Sequence, residues 1–133
     1  MSQHKKIVQS YYQNLWNNQD KSYIDKLLHD DILFKGSLGV ETKGKKEFES
    51  YFDMITTAVP NLYHAVELLV EEGDYVVARA WYSGTQRGKL LGFEATNNKI
   101  RYNGASFFTI VDNKIKTIWV LGDLYDLSKQ LQR

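Results

Sequence analysis

The hydrophobic pattern of the chain changes its period at the single proline, Pro60. Before this residue, apolar side chains recur every three or four positions, as they do on one face of an amphipathic helix. This spacing predicts three helices, at residues 3–17, 20–32 and 45–59. After Pro60, apolar and polar residues alternate, and a period of two is typical of β-strands.

The alternating part of the chain predicts two β-hairpins, over residues 62–88 and 99–123. Each has a turn residue that tolerates a positive φ, Gly73 in the first hairpin and Asn113 in the second. Because helices come first and strands follow without alternation, we predict an α+β fold with N-terminal helices packed on a strongly curved antiparallel sheet. The length of 133 residues, with no linker or repeat, predicts one domain over 1–133.

The composition narrows the possible partners. The formal net charge is +1 and no basic stripe with interleaved aromatic residues stands out, so we expect no nucleic acid partner. No run approaches the roughly 18 apolar residues of a membrane span, and cysteine is absent. We therefore expect a cytoplasmic protein without disulfides, thiolate chemistry or a membrane partner. Nine tyrosines, six phenylalanines and three tryptophans suit a lined cavity, although they would equally fill a core.

Motifs for metals and nucleotides are not found. The three histidines, His4, His29 and His64, do not have the spacing of metal ligands. His29 is expected at the end of a helix and His64 at the start of a strand. There is no glycine-rich phosphate loop and no nucleophile elbow. We expect no metal and no cofactor, so an enzyme of this sequence would use carboxylates, amides and hydroxyls in an apolar pocket.

Asp123 is the first candidate for such chemistry. It ends an apolar strand, and simple alternation places it on the same face as Trp119 and Leu121. Apolar surroundings would disfavour its charged form and suit it to move protons near neutral pH. Alternatively, Asp123 is the N-cap of a terminal helix, with Asp126 three residues later. The residues alone leave both roles open.

Arg79 and Gln86 are the other polar candidates. Arg79 shares a predicted strand face with Trp81 and could orient a carbonyl or an anion, or it could cover the sheet with its aliphatic stem. Gln86, in the sequence "SGTQRG", could donate a hydrogen bond to a ligand oxygen, or it could be an ordinary polar residue at a strand end.

Three stretches together resemble the SnoaL-like polyketide cyclases, also called ester cyclases, within the nuclear transport factor 2-like superfamily. They are "YYQNLWNNQDKSYIDKLLHDDILF", "GKKEFESYFDMITTAVPNLYHAVELLVEEGDYVVARAWYSGTQRGKLLGF" and "IRYNGASFFTIVDNKIKTIWVLGDLYDLSKQL". The resemblance implies a cone-shaped fold with an apolar pocket between helices and sheet. It also implies an aspartate on the last strand that acts as acid and base in an intramolecular aldol closure, without metal or cofactor. Asp123 stands at that position.

The chain departs from the family pattern at three places. Gln86 stands where the family often has histidine, "VPN" at 59–61 replaces "FPD", and "ATNN" at 95–98 replaces "PTG". These differences do not change the expected fold. They affect positions at which the family pattern is linked to the cyclase reaction.

Two functional hypotheses follow from the resemblance and the residues. The first is a cofactor-independent aldol cyclase or isomerase that acts on a small hydrophobic carbonyl compound, with Asp123 as proton shuttle and Gln86 or Arg79 at the enolate. The second is a non-catalytic protein that binds a small molecule in the same pocket; epoxide hydrolysis ranks lower. We expect a homodimer through the sheet. The expected pocket residues are Phe34, Leu38, Phe52, Ile55, Trp81, Tyr102 and Trp119.

Overall fold

The computed structural model describes residues 1–133 and confirms the predicted α+β class. Its α-helices are α1 (Gln3–Ser10), α2 (Ser22–Leu27), α3 (Gly44–Ala58) and α4 (Leu124–Leu131). A π-helical segment (Tyr11–Asn17) continues directly from α1. The strands are β1 (Leu28–Lys35), β2 (Glu41–Lys43), β3 (Tyr63–Glu72), β4 (Tyr75–Thr85), β5 (Lys99–Val111) and β6 (Lys114–Gly122). No helix combines the length and the apolar character that a membrane crossing requires.

The six strands form one sheet in the order β2–β1–β6–β5–β4–β3. The predicted hairpins correspond to β3–β4 and β5–β6, and both predicted turn residues have a positive φ, +57° at Gly73 and +60° at Asn113. The sheet is not entirely antiparallel, however, because β1 and β6 run in parallel.

The helices bury their apolar stripes against one face of this sheet, called the inner face below. In α3, the residues at positions i, i+3, i+4 and i+7 are all buried, and they are Phe48, Tyr51, Phe52 and Ile55. They belong to a hydrophobic cluster of 21 buried residues between the helices and the sheet. A second cluster of six joins α4 to the end of α3 and the start of β5. Truncating a fully buried phenylalanine such as Phe48 to alanine would cost about 3–5 kcal/mol.

The helix predicted over 20–32 is wrong in its second half. Helix α2 ends at Leu27 and the chain continues as β1, so His29 lies in a strand and not at a helix end. Ile32 and Phe34 of β1 are buried in the core. The strand is stabilised by pairing with β6 and β2. Pairing with residues about 85 positions away leaves no mark on the local periodicity, and here it overrides the helical pattern.

The side chains of β6 do not keep one alternation along the strand. Ile115 pairs with Ile110 and Thr117 with Thr109, so Lys116 is the extra residue of a β-bulge. A slip of one residue exchanges the two faces of a strand. Beyond the bulge, Val120 therefore faces inward, whereas Trp119 lies on the outer face with 48% of its surface exposed. Simple alternation over the whole strand would place Ile115 on the same face as Trp119, and the bulge makes that alternation wrong.

Candidate functional site

The helices and the inner face of the sheet form a cavity of about 60 Å³. It is lined by 17 residues, 14 of them hydrophobic, and none of them carries a charge. The three others are Ser37, His64 and Ser106. The hydrophobic lining includes five tyrosines, Tyr11, Tyr12, Tyr51, Tyr82 and Tyr102. The walls are therefore apolar but carry several hydroxyl groups and one imidazole.

The π-helical segment supplies one wall of the cavity. Tyr11, Tyr12 and Trp16 are buried and line it. π-Helical turns are rare and occur often at functional sites. Asn17, the last residue of the segment, binds the backbone of His64 with both atoms of its amide. Its Oδ1 accepts a bond from the His64 N–H at 2.7 Å, and its Nδ2 donates to the His64 carbonyl at 3.0 Å.

His64 lies at the centre of an aromatic cluster. Its ring centroid is 5.3 Å from that of Tyr12, 5.3 Å from that of Trp16 and 5.1 Å from that of Tyr82. Burial lowers the pKa of His64 to about 3, because no nearby acid compensates for the lost hydration of the charged ring. The imidazole is therefore neutral at physiological pH.

Three polar atoms of this cluster are buried without a hydrogen-bond partner: Tyr12 Oη, Tyr82 Oη and His64 Nδ1. The fourth such atom in the protein, Thr42 Oγ1, belongs to β2. Burial raises the pKa of both tyrosines, and the neighbouring Ser106 side chain opposes this only in part. The hydroxyls therefore stay protonated and keep their capacity to donate. Unpaired buried polar groups are uncommon in folded proteins, and three in one place call for an explanation.

The structure brings part of the predicted pocket together. The residues from the predicted set that line the cavity are Phe34, Leu38, Ile55 and Tyr102. Phe52 lies behind this wall in the core, with its ring centroid 4.6 Å from that of Trp16.

The other two predicted wall residues are on the wrong face of the sheet. Trp81 lies on the outer face, where the Arg101 guanidinium stacks 3.7 Å from its ring centroid. Trp119 is also outside, for the reason given above, and its ring lies 6.2 Å from that of Phe107. Neither contributes to the cavity lining.

The predicted polar residues also lie away from the cavity. Asp123 is exposed and is the N-cap of α4, where its Oδ1 accepts the Asp126 N–H at 3.0 Å. Of the two roles considered for this residue, the structure shows the cap; the pocket position is wrong because the bulge in β6 turns this end of the strand outward. Arg79 is on the outer face, and its Nε lies 3.9 Å from a carboxylate oxygen of Glu67.

Gln86 is fully buried, but its amide is already satisfied. Its Nε2 donates to the carbonyls of Gly88 and Phe93, both at 3.0 Å. Its Oε1 accepts from the backbone N–H and the hydroxyl of Thr96, at 3.2 and 2.7 Å. The predicted donation to a ligand is contradicted, since these bonds leave no free N–H. Gln86 instead holds together the loop between β4 and β5.

Sequence reasoning missed His64, Tyr12, Tyr82 and Ser106 as cavity residues. The sequence signal for His64 is its position two residues from both Leu62 and Val66, because a period of two places all three on one face of a strand, and the structure turns this face inward. The prediction for His64 considered only that it lies at the start of a strand. It did not consider which face of the strand the histidine lies on.

Comparison with known proteins identifies relatives of this chain. The family model for SnoaL-like polyketide cyclases matches residues 6–131. A protein from Jannaschia sp., provisionally described as a SnoaL-like polyketide cyclase, superposes with a TM-score of 0.89 at 20% identity, covering 97% of this chain and 91% of that chain. TsrD from Streptomyces laurentii superposes with a TM-score of 0.85 at 25% identity, covering 97% and 94%.

AclR from Streptomyces galilaeus, provisionally described as a hydroxylase, gives a TM-score of 0.84 at 22% identity and covers 99% of this chain and 82% of that chain. No curated protein matches the sequence significantly. The structural matches confirm the predicted α+β fold, in which helices pack on a curved sheet.

Proposed function

Because the chain belongs to the SnoaL-like polyketide cyclase family, we propose that it binds a small, uncharged and mainly apolar carbonyl compound in the cavity between helices and sheet. The observation that carries this proposal is the lining, which is apolar at 14 of 17 positions and contains no charged side chain. A charged ligand would lose its hydration without gaining a counter-ion, whereas an uncharged one would not.

The position of Asp123 favours binding over the proton-shuttle hypothesis. An exposed carboxylate that caps α4 does not contact a ligand in the cavity. Binding is therefore the first candidate function.

Catalysis of an enolisation or an aldol-type step is the second candidate. It is supported by the neutral imidazole of His64 beside the hydroxyls of Tyr12 and Tyr82, because neutral donors in a dry site can stabilise a developing enolate. The desolvation that keeps His64 neutral also makes it a weak base, so this candidate ranks below binding.

Binding can be tested with matched aromatic probes of different charge. Acetophenone, benzoate and benzylamine have similar size, and amide chemical shifts of the labelled protein report where each one binds. We expect acetophenone to shift cavity residues, and the two ions to bind roughly tenfold or more weakly. Leu38→Trp, which fills the cavity from its edge, should abolish the shifts. Equal binding of the ions, or no response to acetophenone, would refute the proposal.

We also propose a homodimer through the outer face of the sheet. Paired positions place Val70, Val77, Phe107 and Trp119 side by side across four strands. Half or nearly half of the Val70 and Trp119 surfaces is exposed. Such an apolar row is complementary to itself across a two-fold axis, which favours a second copy as the partner. Trp119→Lys should convert the dimer to a monomer in light scattering after gel filtration; an unchanged mass would contradict this interface.

A further inference from the structure

The three unpaired polar atoms at the cavity are held in fixed relative positions. His64, Tyr82 and Tyr102 are cross-strand neighbours on the inner face of β3, β4 and β5. The ring of Tyr12 covers His64 from the π-helical segment. Because three strands and a helix fix these side chains, they have little freedom to move and form hydrogen bonds with one another.

Two backbone features hold the cluster in place. The amide of Asn17 fixes the backbone of His64 to the end of the π-helical segment. At Gly104, a Cβ atom would lie 2.8 Å from the Tyr82 ring, so the glycine allows the ring to lie against β5. The geometry of the cluster is therefore set by the scaffold and does not depend on side-chain packing alone.

Leaving such atoms unpaired is costly, at about 1–3 kcal/mol for each buried donor or acceptor. These atoms have almost no solvent-accessible surface, so a hydrogen bond from them to a ligand oxygen would form in a dry environment, where it is stronger than in water. A hydrocarbon of the same shape would gain only apolar contact. The cluster thus has the properties of a recognition site for a neutral oxygen atom.

We propose that Tyr12, His64 and Tyr82 form a subsite that binds the carbonyl or hydroxyl oxygen of the uncharged ligand, and that Asn17 is its positioning residue. This inference rests on the proposed binding function and adds the group that the cavity recognises. The ligand class is therefore a ketone, an aldehyde or a phenol, as opposed to a hydrocarbon, a carboxylate or an amine.

The test compares two probes of the same shape, acetophenone and α-methylstyrene, in which a methylene group replaces the carbonyl oxygen. The measured quantity is the ratio of their affinities. We expect this ratio to fall about fivefold in His64→Phe and in Tyr82→Phe, because each loses one hydrogen bond to the oxygen. The exposed Tyr125 provides the control, and Tyr125→Phe should keep the wild-type ratio.

The outcomes separate this inference from the proposed function. If neither probe binds, the proposed function fails and the inference fails with it. If both bind and the ratio is the same in wild type, Tyr12→Phe, His64→Phe and Tyr82→Phe, the subsite alone is overturned and the binding function stands.

A second measurement uses only the wild-type protein and Asn17→Ala, so it does not depend on how the ring variants fold. The carbonyl carbon of ¹³C-labelled acetophenone resonates further downfield when the oxygen accepts hydrogen bonds. We expect a downfield position for the bound probe, and a shift towards the value in an apolar solvent in Asn17→Ala, with unchanged affinity for α-methylstyrene. A wild-type resonance at the apolar-solvent value would overturn the proposal.

Discussion

The free energy of unfolding is expected to fall between pH 8 and pH 5 because of His64. Replacing His64 by phenylalanine should remove this part of the pH dependence. Burial lowers the pKa of His64 to about 3, from the value of 6.5 that the unfolded chain retains. Below pH 6.5 the unfolded chain binds a proton that the folded protein excludes, so the free energy of unfolding falls as the pH falls. This contribution is fully present above pH 6.5 and is lost progressively down to about pH 3.

The size of the effect follows from the same two values. At pH 5 the unfolded histidine is roughly 1.5 pH units below its pKa, and each unit corresponds to about 1.4 kcal/mol, so the loss is about 2 kcal/mol. The pKa values of Asp20 and Asp30 are lowered, by hydrogen bonds from Ser22 and Lys45. These carboxyls therefore titrate below this range, and a lower limit of pH 5 keeps them charged.

The assay is urea unfolding at pH 8 and pH 5, followed by tryptophan fluorescence. Phenylalanine keeps an apolar ring between Tyr12, Trp16 and Tyr82 but does not titrate. Wild type should lose about 2 kcal/mol more than His64→Phe between the two pH values. His29→Gln, at a histidine of β1 outside the cavity, should behave as wild type. An equal loss in wild type and His64→Phe would refute the assignment of a neutral, desolvated His64.

Substitutions at three further positions test the roles of single residues in the fold. Asp123→Ala should lower the free energy of unfolding by about 1 kcal/mol, because α4 loses its N-cap. Asp123→Asn should have little effect, since asparagine also caps a helix. Equal effects of the two variants would contradict the capping role. Gln86→Ala should cost about 3 kcal/mol in urea unfolding, because four partners lose their hydrogen bonds, and a change under about 0.5 kcal/mol would contradict that network. Gly104→Ala should cost about 1–3 kcal/mol and shift the NMR signals of Tyr82, because its Cβ would collide with the Leu121 carbonyl oxygen. A variant as stable as wild type would be inconsistent with this contact.

The parts of the fold that depend on local pattern were predictable from the sequence. Helix α3 follows from the spacing of Phe48, Phe52 and Ile55, and the two hairpins follow from alternation and the turns at Gly73 and Asn113. Strand β1 was not predictable in this way. It is stabilised by pairing with β6, and a periodicity computed over neighbouring residues contains no information on that partner.

The candidate site was only partly predictable, for a related reason. Phe34, Leu38, Ile55 and Tyr102 were expected at the pocket from their positions in helices, loops and strands, and they line the cavity. Alternation along β4 did not show which of its two faces is inward, and the structure places Arg79 and Trp81 on the outer one. Asp123 was assigned by extending strict alternation to the end of β6. One extra residue, Lys116, reverses that alternation, and nothing in the composition of the strand signals a bulge.

The bulge in β6 also determines which side chains of the last strand face the cavity. With the end of β6 turned outward, Val120 takes the inward place and the last strand contributes no acid to the lining. The unpaired polar atoms of the cavity come from β3, β4 and the π-helical segment, and all of them are neutral. A neutral cluster can donate hydrogen bonds to an oxygen over the whole range between pH 5 and pH 8, but it does not exchange protons readily. Under the proposed function, recognition of an oxygen is therefore the chemistry that this arrangement serves best, because the scaffold fixes the donors and supplies no strong base beside them.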